Sequence, residues 1–411
     1  MGRKESTPVE PKSELQQAGR EATFLPSLAP VLFLVVIFLI NFIARIVLSP
    51  LLPTIERELG ISHGEAGSFF FIISGGYLLG LLGSGFLASR STHKLTIVIS
   101  SAGVGLALLG ISSASNLWTM RIGLLGLGTA AGLYIASAIA TITSLIEQQN
   151  WGKAIAVHEL APNLAFFASP FVAELFLRWS TWRTALSFLG IASLIASLAY
   201  HRLGRGGEFA GQSPASGAFL LLTRMPAFWL MGVLFGVGVG STIGVYAMLP
   251  LYLVSERQMD PSWANTVVAF SRSYGPILGV LGGWVSDKLG PKHTMVSSLT
   301  FTGIATFLLG PISSSWISAV VLFQPLLAVW FFPAAFAALA AITPPSARNL
   351  AVAFTVPFGY IIGGGAIPTF IGIMGDSGSF SIGFIATGAL IFLSGLSALL
   401  LRLPATDEKP T

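Results

Sequence analysis

Residues 283–292 read Gly283-Trp284-Val285-Ser286-Asp287-Lys288-Leu289-Gly290-Pro291-Lys292, and residues 85–94 read Gly85-Phe86-Leu87-Ala88-Ser89-Arg90-Ser91-Thr92-His93-Lys94. The two decapeptides align without a gap at a constant offset of 198 residues. Each is a basic, glycine-bearing turn that closes an apolar run and opens another. One such turn is common wherever a chain leaves a membrane on its basic side. Two at matched positions indicate a duplicated chain, and internal duplication is the construction of many transporters.

Outward from these turns, apolar runs recur at 29–53, 66–89, 94–115, 118–146, 152–176, 182–203, 227–254, 263–286, 293–312, 315–342, 350–374 and 379–402. A crossing needs about 20 residues, so the sequence predicts twelve transmembrane helices and an all-α membrane protein. Composition agrees: 53% of the 411 residues are hydrophobic and only 9% are charged, against about 25% charged in soluble domains. The 46 glycines suit close helix–helix contact. Without cysteine there are no disulfides, thiol nucleophiles or thiolate metal sites.

Residues 204–226 begin polar and rich in Gly and Ser, and read as a cytoplasmic linker. It divides an N-terminal six-helix half (29–203) from a C-terminal one (227–402). Tails are expected at 1–28 and 403–411; the first lacks the layout of a signal peptide. With both termini inside, cytoplasmic segments hold fifteen of the 22 Lys and Arg residues and outer segments five. That bias predicts both termini in the cytoplasm and a cell inner membrane location. The net charge of +5 reads the same way and does not indicate nucleic acid.

The two turns resemble the signature of the major facilitator superfamily, G-x-L-A-D-R-x-G-R-K, found between helices 2 and 3 of that fold. The second copy fits at Gly283, Asp287, Lys288, Gly290 and Lys292. The first departs, with Ser89 in place of the acid and Thr92 in place of the glycine. The resemblance spans the whole chain. It implies alternating access, with Ser89, Arg90, Asp287 and Lys288 at positions that govern conformation. A narrower resemblance lies in Asn41-Phe42-Ile43-Ala44-Arg45, which looks like the N-Y-x-x-R segment of anion:cation symporters, whose arginine meets a substrate carboxylate. Ala44 replaces the acid that often precedes that arginine, and the helix-4 carboxylate of such symporters is missing. Arg272 falls where monocarboxylate and oxalate transporters hold a substrate arginine.

Read from the residues alone, Arg45 and Arg272 are the two remaining basic residues, and both stand inside apolar runs. A guanidinium stays charged in hydrocarbon and is costly there, so it marks a cavity or a partner. At 1.5 Å per residue, Arg45 lies about 21 Å into its helix and Arg272 about 16 Å into its own. The expected ligand is therefore a small organic anion, a carboxylate in particular. A guanidinium that merely braces helices is the competing reading. Glu159 is the one acid placed well inside a helix, and with His158 it is the candidate proton carrier; a structural ion pair is its alternative. Mid-helix Asn163, Tyr134, Tyr246, Gln324 and Tyr360 supply donors and apolar walls, although each alone serves equally as packing.

No phosphate loop, metal-ligand spacing or nucleophile–base set is present, so no enzyme, cofactor or metal is expected. The expected partners are the anion, protons and the lipid bilayer, and the protein is expected to be a monomer. An exchanger or exporter of the same fold stays open. So does a non-transporting receptor or lipid-handling protein.

Overall fold

The computed structural model describes residues 24–211, 222–344 and 347–403. The expected tails, apart from residues 24–28 and 403, and residues 212–221 of the linker lie outside the described residues. Helices run α1 (Leu28–Leu59), α2 (His63–Arg90), α3 (His93–Ser112), α4 (Leu117–Leu145), α5 (Gln148–Trp179) and α6 (Trp182–Leu203). The second half continues with α7 (Pro226–Ser255), α8 (Pro261–Phe270 and Gly275–Leu289), α9 (Pro291–Leu308), α10 (Ile317–Ile342), α11 (Leu350–Asp376) and α12 (Phe380–Leu400). Ten of these are individually long and apolar enough to cross a membrane. The exceptions are α8, which is broken, and α9, whose 18 residues open on the polar run Pro291-Lys292-His293-Thr294. The architecture is the expected one: two six-helix halves of an all-α membrane protein.

Local sequence sets the helix starts. Ser62, Thr92, Asn116, Thr181, Asp260 and Ser379 each accept a backbone N–H from the first turn that follows, satisfying donors that have no intrahelical partner. At Ser62 the cap is reciprocal with Glu65. Within the first half, α2 and α4 meet through Gly76-x-x-x-Gly80 and Gly128-x-x-x-Gly132. A methyl group added at Gly80 would sit 2.0 Å from the Thr129 carbonyl, so the backbones touch as small-residue seams allow.

The two halves close at one end of the bundle, where α2 begins and α11 finishes. Asp376 accepts from the Ser62 hydroxyl at 2.8 Å, the His63 amide at 2.7 Å and the Gly64 amide at 2.9 Å. Its negative charge sits on the positive end of the α2 dipole. At the opposite end, the first residues of the linker form a strap over the turn between α2 and α3. Phe209 and Gly207 carbonyls accept from His93 and Lys94 amides at 3.2 and 2.8 Å, and the Gly211 amide donates to Ala88 at 2.9 Å. Glu208 pairs with Lys94 at 3.1 Å.

The signature turns differ for a physical reason. At position 290 the backbone has φ +83° and ψ 152°, a region open essentially to glycine. At the matching position 92, φ is −140° and the threonine caps α3. Ser89 donates to the Phe86 carbonyl at 3.0 Å and Arg90 lies over the Phe86 ring at 3.8 Å. Asp287 and Lys288 are exposed and form no ion pair among the described residues.

Candidate substrate site between the two halves

Prolines place the site. Proline lacks an N–H and crowds the carbonyl four residues earlier, so that carbonyl loses its helical partner. Pro276 does this to Arg272, and α8 breaks there: residues 271–274 form a turn, with the Gly275 amide reaching the Arg272 carbonyl at 3.2 Å. Pro162 does it to His158, where α5 is interrupted at Glu159. Pro50 does it to Ile46, next to Arg45, where α1 is interrupted at Val47. Pro170 and Pro250 leave their helices continuous but free the carbonyls of Phe166 and Tyr246. Those two find partners across helices. The Phe166 carbonyl accepts from the Tyr246 hydroxyl at 3.4 Å, and the Tyr246 carbonyl accepts from Ser49 at 2.8 Å.

Around these openings the structure assembles one aromatic cluster. The Arg45 guanidinium carbon lies 4.5 Å from the Phe42 ring centre, 4.7 Å from that of Tyr77 and 5.9 Å from that of Tyr360. Tyr77 and Tyr360 touch across the two halves at 5.0 Å. The Arg272 guanidinium lies 5.1 Å from Phe166 and 5.2 Å from Tyr246. Phe42 meets Phe166 edge-on at 5.3 Å, and Phe166 meets Tyr246 at 4.8 Å. Helices α1, α2 and α5 thus face α7, α8 and α11 over a continuous ring surface with a guanidinium at each side.

Both arginines are buried, at 6% and 5% exposure. Among the described residues no carboxylate is within ion-pair distance of either one. Among the described residues the Nε atom of each has no hydrogen-bond partner, and Arg272 is tethered by Nη2, which donates to the Thr242 carbonyl at 3.1 Å. That carbonyl lies in a π-helical stretch, Gly240–Gly244. Gln324 braces the same stretch, donating to Ser241 at 2.9 Å and to Thr306 at 3.0 Å. A second π-helical stretch, Tyr360–Ala366, opens with the tyrosine beside Arg45. Wide turns of this kind recur at functional sites. Ring contacts offset part of the cost of a buried guanidinium, about 0.5–2 kcal/mol each.

A separate cluster forms on α1, α4 and α5. His158 is fully buried, and its ring stacks on Phe38 at 4.5 Å. The Tyr134 hydroxyl donates to the Leu34 carbonyl at 2.7 Å and contacts His158 Nε2 at 3.1 Å. A hydroxyl has one proton, so Nε2 carries the hydrogen of that contact. Nδ1 lies 3.3 Å from Glu159 Oε1, and the Glu159 side chain is half exposed. A hydrogen bond there requires one further proton, on Nδ1 or on the carboxylate. Asn163 does not extend this cluster; it donates to the Glu159 carbonyl at 3.1 Å.

Of the sequence-predicted residues, Arg45, Arg272, Tyr246 and Tyr360 come together on one ring surface. Gln324 stands behind it, Tyr134 belongs with His158, and Asn163 binds backbone. Sequence reasoning did not single out Phe42 or Phe166, which join the two arginines. The signal for Phe166 was present in the four-residue spacing to Pro170. A cleft of about 520 Å³ at the Asp376 end, lined by Glu58, Glu174 and Arg178 among others, lies away from both arginines. Its two carboxylates to one arginine disfavour an anion.

The family model of the major facilitator superfamily matches residues 34–275 and 262–411. The chain belongs to the major facilitator superfamily. It is 22% identical over 284 residues to a probable nitrate/nitrite transporter of Mycobacterium tuberculosis, covering 66% of this chain and 69% of that one. It is 23% identical over 410 residues to a probable sulfoacetate transporter of Cupriavidus necator, covering 90% and 94%. Among solved structures, a bacterial homologue of the human lysosomal transporter Spinster, inward-facing and unoccupied, superposes with a TM-score of 0.78 at 15% identity. That match covers 92% of this chain and 99% of that one, and it concerns the fold.

Proposed function

We propose that this multi-pass membrane protein is a secondary transporter that carries a small organic anion, a carboxylate or its sulfonate analogue, by alternating access. The observation that carries this reading is the pair of buried arginines without carboxylate partners, set on one aromatic surface between the halves. Arg45 and Arg272 bind the anion, and the His158–Glu159 pair carries a coupled proton. The relatives' names include small anions, which supports the class. The bias of Lys and Arg supports both termini in the cytoplasm of an inner membrane. In that orientation the Asp376 contacts tie α2 to α11 at the outer face.

Proteoliposomes loaded at high pH and given labelled sulfoacetate or nitrate at low pH provide the test. The wild type concentrates its anion under the gradient. Glu159→Gln keeps anion-for-anion exchange, which moves no net proton, and loses gradient-driven accumulation. If Glu159→Gln still concentrates the anion and His158→Gln does not, the histidine is the carrier. Normal accumulation by both variants places coupling elsewhere. The relative named for nitrate and nitrite favours a second reading, an exchanger of inorganic anions. That reading predicts uptake that depends on an internal anion and ignores the pH gradient.

A further inference from the structure

We infer that Gln324 is a positioning residue: acting through the wide turn of α7, it sets the orientation of the Arg272 guanidinium. The orientation stands on contacts within the C-terminal half, and its effect on the anion rests on the reading proposed above.

The sequence of α10 supplies the reason. Pro325 follows Gln324, and the helix gives way to turns at 324–327. The Leu326 amide bonds the Phe323 carbonyl at 3.2 Å rather than the Leu322 carbonyl that an unbroken helix would give it. The Tyr274 hydroxyl donates to that Leu322 carbonyl instead. Tyr274 ends the 271–274 turn that bears Arg272. Two residues along α10, the Gln324 side-chain nitrogen donates to the Ser241 carbonyl at 2.9 Å and to the Thr306 hydroxyl at 3.0 Å. The next carbonyl on α7, that of Thr242, holds the Arg272 guanidinium at 3.1 Å. One short piece of α10 is therefore the reference for Arg272 at both ends. It holds the turn at the base through Tyr274, and the guanidinium through Ser241 and Thr242.

The wide turn has little freedom elsewhere. The Ser241 hydroxyl bonds back to the Gly238 carbonyl at 2.8 Å and the Thr242 hydroxyl to the Val239 carbonyl at 3.1 Å, a pattern that bends helices. The turn also nests on the π-helical stretch of α11. A methyl group added at Gly363 would sit 2.2 Å from the Gly236 carbonyl oxygen and 2.3 Å from the Gly240 nitrogen, and one added at Gly244 would sit 2.3 Å from the Gly363 carbonyl oxygen. Backbone thus holds the turn on the α11 side, and the Gln324 side chain holds it on the α10 side. Chemistry fixes the direction of the amide. The Ser241 carbonyl only accepts, so the nitrogen of Gln324 must face it. Gln324 is fully buried, and a methionine in its place removes both donors at similar length.

The test compares wild type, Gln324→Met, Arg272→Gln and the double variant, each as the full chain in detergent. Modification by phenylglyoxal, resolved by peptide mass, reports the accessibility of Arg272 without any ligand, and Arg45 serves as the internal control. In Gln324→Met, modification of Arg272 should rise about threefold or more, on the scale of one lost hydrogen bond, with that of Arg45 unchanged. Calorimetric affinity for sulfoacetate, with nitrate in parallel, should fall about threefold to tenfold in Gln324→Met. In the Arg272→Gln background the same substitution should cost nothing further, because its effect passes through that residue. Gln324→Asn, whose amide falls one methylene short of Ser241, carries the same expectations and stands in if the methionine variant does not fold. Unchanged modification of Arg272 overturns the inference. So does an affinity loss that adds to that of Arg272→Gln, which assigns Gln324 a separate or merely structural role. Raised modification of Arg272 in a protein that binds neither anion leaves the positioning role standing and overturns the anion reading.

Discussion

The N-terminal half and the C-terminal half each contribute one arginine and one signature turn, and they treat them in opposite ways. Arg45 is surrounded by three rings and has no carbonyl tether among the described residues, whereas Arg272 is fixed to Thr242 at 3.1 Å. The first turn has lost the signature acid but is strapped by the linker through Glu208, while the intact second turn leaves Asp287 and Lys288 exposed. Duplication therefore supplied the scaffold, and each half was specialised afterwards. The C-terminal guanidinium is oriented by a backbone carbonyl, whereas the N-terminal one is held among the described residues by ring faces.

That contrast ranks the substitutions. Arg45→Ala removes a charge that has no carboxylate within ion-pair distance among the described residues, so on the proposed reading its loss falls mainly on anion binding. Accumulation is expected to fall by about a hundredfold, as for loss of a charge-assisted fork. The protein should remain extractable and monodisperse, because the substitution costs ring contacts alone among the described residues and leaves no buried carboxylate or carbonyl unpaired. Size-exclusion profiles beside uptake rates test this. Wild-type uptake by the variant would make Arg45 structural.

Arg272→Lys is the milder change. An ammonium can still reach the Thr242 carbonyl, but it cannot present the planar fork. We expect about a tenfold loss in apparent affinity, on the scale of one hydrogen bond to a charged group. If apparent affinity and rate both match wild type, the arginine only braces α7 against α8.

The ring beside Arg45 gives a finer test. Tyr360→Phe keeps a π face and should leave affinity within about twofold. Tyr360→Leu removes it and should weaken binding about threefold, in line with a cation–π contact near 0.5–1 kcal/mol. Equal losses in the two variants would instead assign the effect to the Tyr360 hydroxyl.

The twelve crossings were legible because hydrophobic length is a property of one segment at a time. Both arginines were legible for the same reason: a charge inside an apolar run stands out without knowledge of its neighbours. The ring surface was legible only in part: Tyr246 and Tyr360 stand out as polar aromatics within apolar runs, whereas Phe42 and Phe166 are ordinary apolar-run residues until five helices converge. Helix phase also could not tell which of His158 and Glu159 is enclosed. The break at Glu159 decides it, burying the histidine and leaving the acid half exposed. The polar composition of 204–226 reads as a linker and does not reveal the strap of residues 207–211, because its backbone bonds and the Glu208–Lys94 pair reach a turn more than a hundred residues earlier. The break in α8 was readable in principle, from Pro276 four residues after Arg272.

At the signature turns the expected effects fall on stability and leave anion binding unchanged, and reciprocal substitutions separate ancestry from present need. If the two turns still shared one conformation, exchanging their residues would be harmless. They do not share one. Gly290→Thr forces a branched side chain into φ +83°, ψ 152°, a cost of about 1–3 kcal/mol. Thr92→Gly meets φ −140°, which any residue adopts, and loses only the capping hydroxyl to Leu95 at 3.1 Å. Replacing an N-cap threonine by glycine costs a few tenths of a kcal/mol. Thermal unfolding in one detergent should therefore show a clear drop in midpoint for Gly290→Thr and almost none for Thr92→Gly. Equal shifts would mean that position 290 tolerates a side chain and that the glycine there is an inherited residue rather than a backbone requirement.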